Sequence, residues 1–286
     1  MSSAHPRPAL HVDGVLVINL IHRPERLEHF RANADAQACL RHWERLPAVN
    51  GQLLSGYGQP PWFRHGNRDK SWGGRAGCAL SHRNAISIAR ERGWRSVLIF
   101  EDDVILGPDF DHELQTLLST LETSAQGWHA CFLGVSQPVG PGHPLASLGA
   151  TQQLFQIQGC LGAFAYILKA ELYDWALARL PNETNIWPWL ARHRAIDRWY
   201  ARNLSPNFKI TAVSPSLVGH YTSFSDIGQR AGAVISKDGA EADHSQPIIG
   251  RHSAICGLSR RTFQLYFLLA DQANRLRAWH KRRKGF

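Results

Sequence analysis

Cysteine is scarce in this sequence, and its spacing forms no recognisable pair. The cysteines are odd in number and widely scattered, with no C-x-x-C spacing: Cys39, Cys78, Cys131, Cys160 and Cys256. This pattern argues against both a disulfide framework and a structural zinc site. We therefore expect a reducing, cytoplasmic setting.

Long hydrophobic runs are also missing. The stretch from Val15 to Ile21 is shorter than the roughly 20 apolar residues that span a bilayer, and Asn19 interrupts it. The start of the chain lacks the basic segment and apolar core of a secretory signal peptide. Any membrane contact is therefore expected to be peripheral, on the inner face of the cell membrane.

Acidic residues are nearly absent from residues 251–286. That segment holds nine Lys or Arg against one acid, Asp271, a net charge of +8 within a chain total of +9. Residues 1–250 hold the other 23 bases and 22 acids, so the body of the protein is almost neutral. Because no basic and aromatic face is visible outside the tail, we expect no nucleic-acid partner.

The apolar residues that are present alternate between strand-like and helix-like patterns. The chain has 286 residues, of which 44% are hydrophobic, enough to fill a core. Continuous apolar runs at Val15–Ile18 and Val97–Phe100 predict buried strands, and Pro24 and Pro108 stand where helices begin. This alternation predicts an α/β fold with a mainly parallel central sheet flanked by helices. Gly and Pro predict a loop over residues 55–77.

The organisation we predict is one domain with an appended tail. The domain covers residues 13–230, and small polar residues at 231–250 predict a flexible loop or linker. Residues 251–286 form a basic amphipathic tail, whose helix places Leu265, Leu269, Leu276 and Trp279 on one face. Basic amphipathic helices bind anionic membrane surfaces. The alternative is a helix that packs on the domain and has a solvated basic end.

Three acids, Glu101-Asp102-Asp103, directly follow the apolar strand Val97–Phe100. Ligands of a parallel α/β sheet gather at the carboxyl ends of its strands. Side-chain alternation puts Glu101 and Asp103 on one face and Asp102 on the other, unless the strand has already turned. Clustered carboxylates favour a divalent cation such as Mg²⁺ or Mn²⁺, which can also bind substrate phosphates. Helix capping or surface ion pairing is the alternative role for these acids.

Four segments around this triplet resemble, in order and spacing, the family 25 glycosyltransferases. They are Val17-Ile-Asn-Leu-Ile-His-Arg-Pro-Glu-Arg26, Ala48-Val-Asn-Gly51, Gly77-Cys-Ala-Leu-Ser-His82 and Ile99-Phe-Glu-Asp-Asp-Val104. That family includes bacterial lipooligosaccharide galactosyltransferases and procollagen galactosyltransferases. The resemblance continues to about residue 230 through Ala165-Tyr-Ile-Leu168, Ile196-Asp197, Pro215-Ser-Leu-Val-Gly-His-Tyr-Thr222 and Ser225-Asp-Ile227.

The resemblance implies a GT-A-like fold and an inverting transfer that depends on a divalent cation, with Mn²⁺ favoured over Mg²⁺. The implied donor is a UDP-sugar, galactose before glucose, and the implied acceptor is a saccharide or glycolipid such as a lipopolysaccharide or lipooligosaccharide core. By position in the matching segments, the implied metal ligands are Glu101, Asp103 and His220. The implied donor-binding residues are Asn19, Arg23, Arg26, Ser81, His82, Glu101 and Asp102.

An inverting transfer also needs a group that takes the proton from the acceptor hydroxyl. Asp197 is the first candidate and Asp226 the second, because each is an acid in a segment that resembles the family. The alternative for Asp197 is a charge that stabilises the start of a helix. His82 is equally consistent with a buried, hydrogen-bonded histidine. The aromatic residues near Asp197 are expected to stack on sugar faces: Trp187, Trp189, Trp199 and Tyr200.

Two other classes of function compete with this interpretation. A Mg²⁺-dependent phosphohydrolase or phosphotransferase also keeps acids at strand ends, but it usually needs an Asp at the end of the first strand, where this chain has Asn19. A non-catalytic protein could use the basic tail to bind an anionic membrane or nucleic acid, with an affinity that falls steeply with salt.

Overall fold

The structure is a computed structural model that describes residues 11–63, 70–139, 142–220, 224–225, 230–231 and 260–284. Asp226, the second predicted base, lies outside the described residues. So does nearly all of the predicted linker at 231–250.

Strands and helices alternate through the first half of the chain, as the apolar pattern predicts. The strands are β1 Gly14–Asn19, β2 Glu44–Pro47, β3 Ser96–Glu101, β4 Val104–Ile105, β5 Ala130–Gly134, β6 Gln137–Val139, β7 His143–Ser147, β8 Gln153–Ile157, β9 Gly159–Leu161, β10 Ala165–Lys169, β11 Ile210–Ser214, β12 Gly219–His220, β13 Phe224–Ser225 and β14 Arg230–Ala231. The helices are α1 Pro24–Ala34, α2 Lys70–Glu91, α3 Phe110–Ser124, α4 Tyr173–Leu177, α5 Ile186–His193, α6 Ile196–Asn203 and α7 Arg260–Lys284.

Eight of these strands form the central sheet, in the order β2-β1-β3-β10-β5-β11-β8-β7. Strand β1 runs parallel to β2 and β3, and β11 runs parallel to β5. Strands β10 and β8 run antiparallel to their neighbours, so the other six all point in the same direction. This mainly parallel sheet, flanked by helices, confirms the predicted α/β class.

Both faces of the sheet are buried, which explains why its central strands are apolar throughout. On β3, Val97 and Ile99 pack in the core that contains α2, α5 and α6. Leu98 and Phe100 point to the opposite face and pack with α1 and α3. Glu101, the last residue of β3, therefore lies at the carboxyl end of a strand that is covered by an apolar layer on each face.

Helix α2 begins at Lys70, so the loop predicted over residues 55–77 is wrong in its last part. The glycines that suggested a loop instead allow close packing. A Cβ on Gly77 would lie 2.1 Å from the carbonyl oxygen of Val49, and one on Gly51 would lie 1.9 Å from that of Gly73. Two of the segments that resemble the family thus pack directly against each other.

The predicted tail helix is confirmed as α7, which packs mainly against α5. Among the described residues, no helix is long and apolar enough to cross a membrane.

Candidate functional site

The acidic triplet lies at the carboxyl end of β3, and its side chains point in two directions. Glu101 shares a face with Ile99 and points toward α2, where it contacts His82. Asp102 points to the opposite face, toward Arg26 of α1. Asp103 lies in the turn before β4, and because the strand has already ended, it meets the same guanidinium as Asp102.

Arg26 and Asn19 hold the two aspartates in a buried network. Arg26 Nη1 donates to Asp102 Oδ1 at 2.8 Å, and Nη2 lies 3.1 Å from Asp103 Oδ2. Asn19, at the end of β1, donates from Nδ2 to Asp102 Oδ2 at 2.7 Å. Arg45 Nε in turn donates to Asn19 Oδ1 at 2.9 Å. Two predicted donor-binding residues therefore orient the acidic residues at the sheet edge.

His220 approaches Asp103 from a distant part of the sequence. Strand β12 pairs with β4 so that His220 lies opposite Val104. Its Nε2 lies 3.2 Å from Asp103 Oδ1. That buried oxygen makes no well-aligned hydrogen bond to any residue that the structure describes, although the imidazole is close. One oxygen at the centre of the site thus has lone pairs left for a cation.

Charge, as well as burial, controls protonation at this pair. Burial raises the pKa of Asp103, but the His220 imidazole and the Arg26 guanidinium outweigh it, so the pKa is lowered. Burial lowers the pKa of His220, but Asp103 and Glu101 outweigh it, so the pKa is raised. The geometry therefore favours an ionised carboxylate beside a protonated imidazole when no other cation is bound.

The pKa of Asp102 is raised, whereas that of Asp103 is lowered. Burial raises the pKa of Asp102 to about 6, against the lowering effect of Arg26, and Asp103 adds a further increase by repulsion. A cation near the triplet would favour the ionised form.

On the other side of β3, Glu101 belongs to a second polar cluster. His82 Nε2 lies 3.1 Å from Glu101 Oε1, and Cys78 Sγ lies 3.9 Å from the same oxygen. His82 Nδ1 is 2.7 Å from the hydroxyl of Tyr166, which lies 3.3 Å from that of Tyr200. Burial, followed by the charges of Glu101 and Asp197, raises the pKa of the Cys78 thiol well above its usual range. His82 is therefore a buried, hydrogen-bonded histidine in direct contact with the triplet.

Among the described residues, the side chains whose ligand atoms lie close together are not the three that were predicted to bind the metal. Cys78, His82 and Glu101 each offer one ligand atom, and these atoms lie within 4.8 Å of one another. The predicted set of Glu101, Asp103 and His220 is divided, because Glu101 faces α2 while Asp103 and His220 face each other. The two arrangements share Glu101 at the same sheet edge, and either could hold a divalent cation.

Asp197, the predicted base, lies close to this second cluster. It is half-buried at the start of α6, where Oδ2 accepts from Gly162 N at 3.1 Å and Oδ1 accepts from Arg198 N at 2.6 Å. Its charge, like that of Glu101, contributes to the raised pKa of Cys78. Asp197 thus makes the helix-start contacts of the alternative interpretation and also lies near the triplet.

The expectation that nearby aromatic side chains stack on sugars is wrong. These residues are buried in the core, with 9% exposure or less, because α5 and α6 turn their apolar faces inward: Trp187, Trp189, Trp199 and Tyr200. Trp189 and Trp199 pack on each other, and the indole nitrogen of Trp187 donates to Ser55 O at 2.7 Å. Their role is structural.

Arg23 and Ser81, two further predicted donor-binding residues, make local contacts. The Arg23 side chain pairs with Glu25, and its carbonyl oxygen accepts from Asn19 Nδ2 at 2.9 Å. The buried Ser81 hydroxyl donates to Gly77 O at 2.7 Å and accepts from Val49 N at 2.8 Å, which joins α2 to the loop after β2. Contact of either residue with a donor stays a prediction.

Sequence reasoning missed three residues of the site. Cys78 and Tyr166 both stand in segments that resemble the family. The four-residue spacing of Cys78 and His82, which places both on one helix face, was a usable signal. Arg45 carried no signal, because its contact with Asn19 depends on the pairing of β1 with β2.

The segments around this sheet edge, with its clustered acids, arginine and histidines, are similar in sequence to glycosyltransferases. Residues 12–131 match the model of "Glycosyltransferase family 25 (LPS biosynthesis protein)". The resemblance predicted from the sequence is therefore confirmed over residues 12–131.

Several relatives carry the same segment in much longer chains. A human protein named inactive glycosyltransferase 25 family member 3 is 31% identical over 144 residues, which are 44% of this chain and 22% of the relative. Procollagen galactosyltransferase 1-A of Xenopus laevis is 33% identical over 132 residues, 43% of this chain and 21% of the relative. A putative glycosyltransferase of Acanthamoeba polyphaga mimivirus is 32% identical over 114 residues, 38% and 34% respectively. The chain spans between 21% and 34% of the length of these relatives.

Similarity to solved structures is weak. A197 from STIV aligns with a TM-score of 0.38 at 11% identity, over 79% of this chain and 95% of that one. A mannosyltransferase from Pyrobaculum calidifontis, in complex with GDP-Man and Mn²⁺, aligns with a TM-score of 0.35 at 13% identity. The alignment covers 98% of this chain and 76% of that one. At these scores neither alignment supports a conclusion about function.

Proposed function

We propose that this protein is an inverting, metal-dependent glycosyltransferase. It moves a hexose, galactose in preference to glucose, from a UDP-sugar to a saccharide or glycolipid acceptor such as a lipopolysaccharide or lipooligosaccharide core. The observation that carries the proposal is the buried arrangement of Arg26, Asp102, Asp103 and His220 at the carboxyl ends of β1 and β3. In an α/β sheet this edge is where nucleotide ligands bind.

The residues at the edge fit a hard divalent cation. Asp103 offers a buried oxygen without a well-aligned hydrogen bond, and His220 offers an imidazole beside it. Glu101 would have to turn from His82 toward them to complete a ligand set that suits Mn²⁺. When bound there, the cation would supply positive charge to the diphosphate as it leaves the sugar. Asn19 and Arg26 orient Asp102, so that the acidic edge is preorganised before a donor arrives.

Asp197 takes the proton in the transfer that we propose. The acceptor hydroxyl oxygen forms a bond to the anomeric carbon of the sugar while the bond from that carbon to the UDP oxygen breaks. The proton of the hydroxyl passes to a carboxylate oxygen of Asp197, and UDP carries away the bonding electron pair. The backbone donors Gly162 N and Arg198 N hold this carboxylate in place.

The end of β1 argues against the competing phosphohydrolase. A nucleophilic or metal-binding aspartate would be needed there, and this chain has Asn19, whose amide is hydrogen-bonded to Asp102 and to Arg23 O. The end of the first strand therefore supports the acid of β3 and presents no reacting group of its own.

Release of UDP tests the proposal. The purified chain is incubated with Mn²⁺ and a panel of UDP-sugars, with and without saccharide acceptors, and Asp103→Asn is compared with Asp174→Asn. Asp174 is the matched control, because its side chain is 87% exposed. We expect UDP release from one hexose donor, loss of release with EDTA and in Asp103→Asn, and no change in Asp174→Asn.

Two outcomes would contradict the proposal in different ways. Donor binding in calorimetry without any turnover would identify an inactive relative that kept its donor site. Absence of nucleotide-sugar binding, together with unchanged metal binding in Asp103→Asn, would exclude the glycosyltransferase interpretation.

A further inference from the structure

Among the side chains of α7 that the structure describes, those that face the domain are small or polar. Asp271 forms a two-point ion pair with Arg192 of α5, at 3.1 Å and 2.7 Å. Ala278 packs on the main core cluster, and Lys281 Nζ lies 5.4 Å from the ring centre of Trp72 on α2. The partly buried positions of α7 recur every three or four residues and mark one side of the helix: Ala270, Asp271, Asn274, Ala278 and Lys281.

Five large apolar side chains that the structure describes on α7 lie on the opposite side, which we call the outer face. Their side chains are mostly exposed: Leu265 56%, Leu268 63%, Leu269 63%, Leu276 67% and Trp279 54%. At 100° per residue, the centre of these positions lies nearly half a turn from the centre of the partly buried positions. The packing of α7 on α5 fits the capping alternative, but capping alone gives no role to the exposed leucines and Trp279.

Charge on α7 indicates which partner the outer face fits. Residues 260–284 contain eight Lys or Arg and one acid, Asp271, which Arg192 already neutralises. Arg282 and Arg283 are exposed near the end of α7, and the exposed Arg275 also contacts Asp271, at 3.2 Å. A second copy of this helix would repel the first, and nucleic acid offers no match for five exposed apolar side chains. A surface that combines anionic head groups with acyl chains matches both features.

We propose that the outer face of α7 binds the surface of an anionic membrane. The leucines and Trp279 enter the boundary between head groups and acyl chains, and the arginines contact the anionic head groups. Such a helix lies in the membrane surface and does not span it, in agreement with the lack of a spanning helix among the described residues. This inference does not depend on transferase activity, so vesicle binding and UDP release can fail separately.

Vesicle co-sedimentation with the full chain tests the inference. Vesicles of phosphatidylcholine alone are compared with vesicles that also contain phosphatidylglycerol, over a series of salt concentrations. We expect binding to the anionic vesicles only, with an affinity that falls as salt rises. Leu276→Gln should weaken binding about tenfold through lost apolar burial. Arg282→Gln should weaken it about fivefold.

Leu53→Gln is the matched control, because Leu53 is an apolar side chain with 83% exposure that lies outside α7. It should leave vesicle binding unchanged, and thermal unfolding should show that all three variants fold. Equal binding to neutral vesicles, or full binding by Leu276→Gln, would overturn the inference. So would binding to DNA or RNA in place of vesicles.

Discussion

His220 Nε2 lies 3.2 Å from Asp103 Oδ1, although five strands of the central sheet separate the two residues along the chain. The pairing of β12 with β4 brings them together. Asp103 is also held by Arg26, so its carboxylate stands between two cationic groups. The site therefore keeps a buried carboxylate ionised without a metal, and a bound divalent cation would replace the proton of His220, whose neutral imidazole could then join Asp103 as a ligand.

Replacement of His220 should weaken metal binding. We expect His220→Gln to reduce Mn²⁺ affinity about 10- to 100-fold, as is usual when a group that holds or orients a metal ligand is lost. Isothermal titration with Mn²⁺ measures this, with His112→Gln of α3 as the control histidine. Unchanged Mn²⁺ affinity in His220→Gln would place the cation elsewhere on the triplet.

Zinc and manganese should distinguish the two ligand groups that share Glu101. Thiolate and imidazole suit Zn²⁺ better than Mn²⁺, so we expect Zn²⁺ to bind Cys78, His82 and Glu101 and to inhibit UDP release. Cys78→Ser should raise the Zn²⁺ concentration for half-inhibition at least about tenfold, with little effect on activation by Mn²⁺. Equal sensitivity to Zn²⁺ in Cys78→Ser and in the wild type would show that Cys78 is not a ligand.

Loss of Arg26 should destabilise the fold. Its guanidinium contacts two carboxylates that are largely buried, and removal of one partner of a buried pair costs about 3–5 kcal/mol. We expect Arg26→Ala to lower the free energy of unfolding by that order, measured by urea denaturation. The exposed Arg90–Asp174 pair supplies the control, because Arg90→Ala should cost less than about 1 kcal/mol. Equal losses in the two variants would contradict the buried network.

Acid should loosen the packing near α7 through His193. Burial, with repulsion from Arg192 and Arg202, lowers the pKa of His193 to about 3, whereas the unfolded chain keeps a value near 6.5. Because the unfolded state binds the proton first, this histidine costs no stability above pH 6.5 and destabilises the fold progressively as pH falls toward 3. The unfolding free energy of His193→Gln, followed against pH, should fall less over that range than the wild-type value. Parallel curves would show that His193 does not titrate as stated.

Local pattern was enough to predict the sheet and the position of the triplet. A continuous apolar run forms a strand that is buried on both faces, and the first polar residues after it must stand at the sheet edge, as Glu101 does after Phe100. The α6 helix and the tail helix were also predictable, since helical periodicity and charge pattern are properties of neighbouring residues.

Contacts across the fold were not predictable in this way. His82 and Cys78 face Glu101, and Arg45 faces Asn19, because of the way the helices and strands pack together. That packing cannot be inferred from any short segment of the sequence. The glycines before Gly77 suggested a loop, and only the close approach of α2 to Val49 shows that they serve helix packing.

The chemistry of single residues thus came from the sequence, and their surroundings came from the tertiary structure. The sequence pattern alone identified an acidic strand end and a basic amphipathic tail, because each is formed by residues that follow one another in the chain. Folding decided that Trp187 and Trp199 fill the core, and that α7 turns its leucines outward. The physical reason is that burial belongs to the assembled layers of a protein, and the same side chain is core or surface according to what packs on it.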